Sequence, residues 1–178
     1  MNKELKEFLS GMSEGDVNAL SEIYDLMAAK IYNYVISITQ KRQMSEDITH
    51  DVFLQILKHA DRILRSSNPY GYIMAMARNQ AYNVLKRERR IISMGDIPDT
   101  AVEESCENAF MLEEAFDILP ANQREVVYLH LVCGFTHKET AKIQNAPLVT
   151  VKWRYSKALA TLRNSLAENE GGCLNDPI

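Results

Sequence analysis

The chain has 178 residues, 46% of them hydrophobic and 25% charged, with 20 Lys and Arg against 24 Asp and Glu. This balance suits one or two small globular domains and excludes a disordered or fibrous chain. The opening "NKELKEFLSGMSEGD" lacks the apolar run of a signal peptide, and charges interrupt every later apolar stretch, so a cytoplasmic protein without direct membrane insertion is expected.

Strand signals are nearly absent and helical periodicity is widespread, which predicts an all-α protein. Amphipathic helices are expected at about 3–10, 16–40, 46–64, 69–91, 107–118, 121–133, 137–144 and 149–168. In "MSEDITHDVFLQILKHA" (44–60), Ser45 is placed to cap a helix start that Glu46 and Asp47 favour electrostatically. Ile48, Val52 and Ile56 then form the inward stripe, and Asp47, His50 and Asp51 project elsewhere as a small polar, acidic patch. His50 has no second His or Cys nearby at ligand spacing, which argues against a metal.

In "YGYIMAMARNQAYNVLKRERR" (70–90), Ile73, Met76, Ala77 and Val84 are expected on the inward side. Arg78, Tyr82, Lys86 and Arg89 or Arg90 follow helical spacing on the opposite side, with Asn79 and Asn83 alongside. A cationic face interleaved with an aromatic ring and two amides suits a phosphate backbone and unstacked bases. Basic residues alone read more simply as a solvated face. From Ile91 to Leu119 there is no Lys or Arg, whereas Asp96, Asp99, Glu103, Glu104, Glu107, Glu113, Glu114 and Asp117 supply eight negative charges. Residues 92–109 therefore read as an acidic linker between helical domains at 1–91 and 110–168, with a flexible tail at 169–178.

The C-terminal domain contains "VCGFTHKETAKIQNAP". Gly134 is placed as the left-handed residue ending one helix, and Thr136 with Glu139 forms a capping box for the next. Asn145 can take positive φ, and Pro147 can precede a new helix but not continue an old one. This spells a helix-turn-helix. On its second helix Val151, Tyr155, Ala158, Leu159 and Leu162 share one stripe, and Trp153 falls almost opposite. Val149, Thr150, Ser156, Lys157 and Ala160 share the side of Trp153, and Lys152 and Arg154 flank it. The expectation is an outward Trp that meets DNA, because such helices enter the major groove, where an indole can pack on a thymine methyl group or a sugar and donate its N–H to a phosphate. An incidental surface Trp on an ordinary helical hairpin is the plainer alternative.

Taken together, "SEDITHDVFLQILK", "YIMAMARNQAYNVLKRERR" and "LPANQREVVYLHLVCGFTHKETAKIQNAPLVTVKWRYSKALATLR" resemble the successive signatures of bacterial RNA polymerase sigma factors. More narrowly, the chain resembles the small extracytoplasmic-function group, which keeps only regions two and four. The resemblance implies that residues 1–91 are region two, whose "EDITHD" helix docks on the β′ clamp helices of core RNA polymerase through Asp47, His50 and Asp51. It implies that the 59–69 loop and the 70–90 helix, with Arg78, Asn79, Tyr82, Asn83, Lys86 and Arg89, capture and melt the −10 element of promoter DNA. Residues 110–168 would be region four, reading the −35 element with Thr150, Lys152, Trp153, Ser156 and Lys157, while the helices from "LPANQRE" meet the β-flap. An anti-sigma factor is implied as a further partner. Trp153 stands where the family commonly has serine, and Asn145, Asn83 and His50 replace its usual glycine, aspartate and glutamine. Leu148 is a weak cap where Ser or Thr would start the recognition helix better.

Two other readings stay open: a helix-turn-helix regulator that binds duplex DNA without polymerase, and a helical interaction module without DNA. Cys106, Cys133 and Cys173 are odd in number and widely spaced, which suits neither a disulfide framework nor a metal cluster. No Ser/His/Asp set, phosphate-binding glycine loop or carboxylate pair emerges, so no catalytic residue, cofactor or metal is expected, and not an enzyme.

Overall fold

Helices are the only regular structure among the described residues of the computed structural model, which are 1–16, 18–93 and 118–171, with side chains described over 1–16, 18–91 and 118–165. All but three residues of the expected linker and of the helix expected over 107–118 lie outside them, as does the tail beyond Gly171. The chain divides into an N-terminal and a C-terminal unit.

The N-terminal unit packs four helices: α1 (Asn2–Ser13), α2 (Ala19–Thr39), α3 (Arg42–Leu64) and α4 (Pro69–Ser93). Each contributes one apolar stripe. Leu5 and Leu9 from α1, Ile23, Met27, Ile31 and Tyr34 from α2, Ile48, Val52 and Ile56 from α3, and Ile73, Met74 and Ala77 from α4 are all buried. Burying a side chain of this size contributes about 1.5–3 kcal/mol. The start of α4 is written locally. Asn68 accepts from the Gly71 amide at 2.9 Å, and Pro69 occupies the first helical position, where its missing N–H costs nothing. A Cβ on Gly71 would lie 3.0 Å from the Asn68 amide, so glycine leaves room for the cap.

Three expectations are corrected here. Ser45 is not an N-cap. The helix begins a turn earlier, at Arg42, and Ser45 is buried with its hydroxyl donating to the Lys41 carbonyl (2.7 Å) and paired with Thr39 Oγ1 (2.7 Å). A hydroxyl satisfied this way can sit inside a helix. Second, α4 is rotated from the expected register: Met74 and Ala81 join the buried stripe, while Met76 and Val84 are half-buried beside a surface groove. Third, the segment expected by resemblance as a 59–69 loop stays helical to Leu64, with non-helical backbone at His59 (φ −123°, ψ 20°). Only 65–68 link the two helices.

In the C-terminal unit α5 (Ala121–Val127) widens into a π turn over Tyr128–Val132. The Cys133 amide donates to the Tyr128 carbonyl (3.1 Å) and Phe135 to Leu129 (2.9 Å), so a helix expected as continuous α over 121–133 changes type midway. The wider turn buries Tyr128 and Leu129 and leaves Leu131 and Val132 exposed. Gly134 then reverses the chain at φ +73°, as expected. α6 (His137–Ile143) and α7 (Leu148–Gly171) follow, with Asn145 left-handed at φ +48° between them. Val126 packs with Ala141 and Val151, and Val127 with Leu119 and Ala158, while Tyr155 and Leu162 lie against these clusters. The buried thiol of Cys133 lies at the end of the π turn, and Cys106 and Cys173 fall outside the described residues.

Candidate nucleic-acid interface

The capping box forms as spaced. Thr136 N–H donates to Glu139 Oε2 at 2.9 Å, and Glu139 N–H returns to Thr136 Oγ1 at 3.3 Å. It fixes the start of α6, and the Asn145 turn sets where α7 leaves. On α7, Val151 and Ala158 are fully buried, so the opposite face must look outward. Trp153 is 59% exposed there, as its position predicts. Lys152, Ser156 and Lys157 are exposed too, and Thr150 is partly buried on the edge. Leu159 and Leu162, expected in the core stripe, are only half-buried.

A contact the sequence did not disclose ties the three helical segments together. The His130 and His137 rings stack with centroids 4.2 Å apart, and Tyr155 meets them at 4.8 and 4.9 Å. His130 Nδ1 lies 2.6 Å from the Phe135 carbonyl and must carry the proton to donate to it. Burial chiefly, with the nearby His130 and Lys152 charges, holds His137 below the ordinary histidine range. The unfolded chain accepts a proton near pH 6.5, where the folded unit resists it. Stability is therefore full above that pH and is lost as pH falls from there through the lower folded value. Amide exchange in α6 and α7 should accelerate from pH 7.5 to 5.5, after correction for intrinsic exchange rates. His137→Gln should flatten that response, and equal protection at both pH values would refute the assignment.

The expected −10 residues on α4 split between two flanks. The Arg78 guanidinium carbon sits 4.5 Å from the centroid of the Tyr82 ring, a cation–π pair that holds both side chains against the helix. Lys86 and Arg89 are exposed beyond it, and Tyr82, Asn83, Lys86 and Arg89 line one shallow groove. Asn79 and Asn83 reach a second groove, between α3 and α4, that Tyr72, Gln80 and Arg87 also line. Those last three were not singled out from sequence. Their spacing along one flank of α4 was the available signal, hidden by assigning Met76 and Val84 to the core.

Asp47, His50 and Asp51 are all exposed on α3, and Asp51 accepts from Gln80 Nε2 at 3.1 Å. Beside them on the outward face stand Leu54 and Leu57, 42% and 52% exposed. The patch is thus an apolar pair with acidic neighbours. Sequence reasoning passed over both leucines because an apolar residue on an amphipathic helix is assigned to the core by default.

Residues 23–91 match the family model of sigma-70 region 2, and residues 109–162 match that of sigma-70 region 4. Together they cover more than two-thirds of the chain, in that order. The chain belongs to the sigma-70 family, in its extracytoplasmic-function group. This sigma factor is 23% identical over 175 residues to the ECF RNA polymerase sigma factor SigK of Mycobacterium sp. strain JLS, covering 92% of this chain and 91% of that one. It is 24% identical over 177 residues to the ECF RNA polymerase sigma factor BldN of Streptomyces coelicolor, covering 93% and 67%. Two solved structures share the fold. One is sigma factor RpoE of Bartonella quintana in complex with the anti-sigma factor NepR (TM-score 0.70, 24% identity, 85% of this chain and 98% of that one). The other is CnrH in complex with the cytosolic domain of CnrY (TM-score 0.63, 14% identity, 93% and 98%). No helix among the described residues of the sigma factor is long and apolar enough to cross a membrane.

Proposed function

We propose that this sigma factor binds core RNA polymerase, directs it to promoters through −35 and −10 elements, and promotes melting at the latter. The observation that carries the reading is the presence, in one chain and in family order, of a region 2 whose α3 exposes Asp47 and Asp51 and a region 4 whose α7 exposes Lys152 and Lys157. In this reading residues 1–91 act as one functional domain. Asp47, His50 and Asp51 meet the β′ clamp helices, with Leu54 and Leu57 as the apolar centre of that contact, since interfaces concentrate energy in apolar anchors ringed by polar groups. Arg78, Asn79, Tyr82, Asn83, Lys86 and Arg89 handle the −10 strand, where aromatic stacking and backbone charge hold unstacked bases.

Residues 110–168 take the −35 element with Thr150, Lys152, Trp153, Ser156 and Lys157, and the earlier helices, from Leu119 onward, meet the β-flap. The acidic 92–109 segment joins the two. An anti-sigma factor is the regulatory partner this reading carries, supported by the relative crystallised with NepR. A plain DNA-binding regulator gives residues 23–91 no task, which leaves the polymerase-dependent reading ahead.

Capture on immobilised core polymerase tests it, with an isolated β′ clamp-helix fragment as competitor. The chain should be retained by core and released by the fragment. Retention on a heparin column without any affinity for core would instead favour the regulator.

A further inference from the structure

The outward line of α7 is not built like a polar base reader. Val149 is 80% exposed and Trp153, one turn further on, is 59% exposed. Residues four apart on a helix are neighbours, so the two form an apolar ridge, and Ala160 continues it. Helical geometry puts Lys152 along one side of this ridge and Lys157 along the other, both exposed. No acidic residue occurs in α7 before Glu168, and the Glu139 carboxylate on α6 is occupied by the Thr136 cap. Thr150 and Ser156 are the short hydrogen-bonding side chains on the outward side, Arg154 only flanks it, and no Asn or Gln lies there before Asn164.

An exposed valine and tryptophan cost hydration free energy in the unbound chain, and two flanking cations make a protein core a poor occupant for them. The arrangement matches the major groove in cross-section, with phosphates at both walls and base edges between them. The one apolar group that a base pair presents there is the C5 methyl of thymine. We propose that Val149 and Trp153 read thymine methyl groups in the −35 element, and that this contact, rather than bidentate hydrogen bonding to guanine or adenine, sets its sequence preference. Lys152 and Lys157 then position α7 on the phosphates without reading sequence. The inference rests on α7 being the −35 helix.

The test uses holoenzyme assembled from core polymerase and the full chain. Promoters are selected from a library randomised at −35, then rebuilt with deoxyuridine replacing each −35 thymine in turn, which removes one methyl group and nothing else. Thymine should recur at fixed positions, and its replacement should lower initiation about four-fold per contacted methyl. Val149→Ser and Trp153→Ala, both at exposed positions, should each abolish the thymine–uracil difference at one position and leave the other. Equal initiation from thymine and uracil templates, or a difference that survives both substitutions, overturns the proposal while leaving −35 recognition standing. Absence of any −35-dependent initiation from the library overturns the −35 reading itself, and the proposal with it.

Discussion

Asp47→Lys combined with Asp51→Lys should weaken binding to core polymerase by about 100-fold, since charged groups desolvated at an interface cost roughly 2–5 kcal/mol when their partners are left unmatched. The fold should survive. Both residues are exposed, and the one bond lost is that between Asp51 and Gln80, at the surface, where substitutions stay within about 0.5 kcal/mol. Glu7→Lys on α1, also exposed, changes charge in the same sense away from the patch and should leave core affinity near wild type. Competition against the unmodified chain for core, with circular dichroism as a control for folding, checks the result. Equal affinities of the double variant and the wild type would remove this face of α3 from the polymerase contact.

Val151→Asp should unfold the C-terminal unit. Val151 is fully buried against Val126, Ala141, Ala146 and Tyr155, and a carboxylate there has no cationic partner in that cluster. Burying such a group costs on the order of 4 kcal/mol or more, a large part of what a small domain has in reserve. Core binding through α3 should persist while −35 dependence disappears. Trp153→Asp, two residues along the same helix, should leave the unit folded because that position faces outward. Hydrogen exchange in α5 and α7 separates the two variants. Equal protection in both would mean that the facing of α7 is wrong.

What was legible in the sequence was what is decided locally. Thr136 and Glu139 satisfy each other across one turn, Gly134 and Asn145 take the left-handed conformation their chemistry permits, and Trp153 follows from helical periodicity alone. What was missed depends on partners distant in the chain or on small choices of register. Ser45 reads as a cap until Thr39, across the preceding turn, takes up its hydroxyl. Met76 and Val84 satisfy a helical stripe as well as Met74 and Ala81 do, and only the packing of α4 on its neighbours selects between them. The His130–His137–Tyr155 stack needs three segments brought together, and its formation follows a π turn that no periodicity announced. At the candidate interfaces the charged and amide residues were visible as types and Val149 by its place beside Trp153, whereas Leu54 and Leu57 declare themselves only by being exposed.

Run-off transcription in a reconstituted system decides whether this sigma factor confers promoter-specific initiation: purified core polymerase, a promoter library, and the chain present or absent. Transcripts should require the chain, start at defined positions, and come from templates sharing two elements at a fixed spacing. Transcripts unchanged by adding the chain, with core shown to be active alongside another sigma factor, would contradict it.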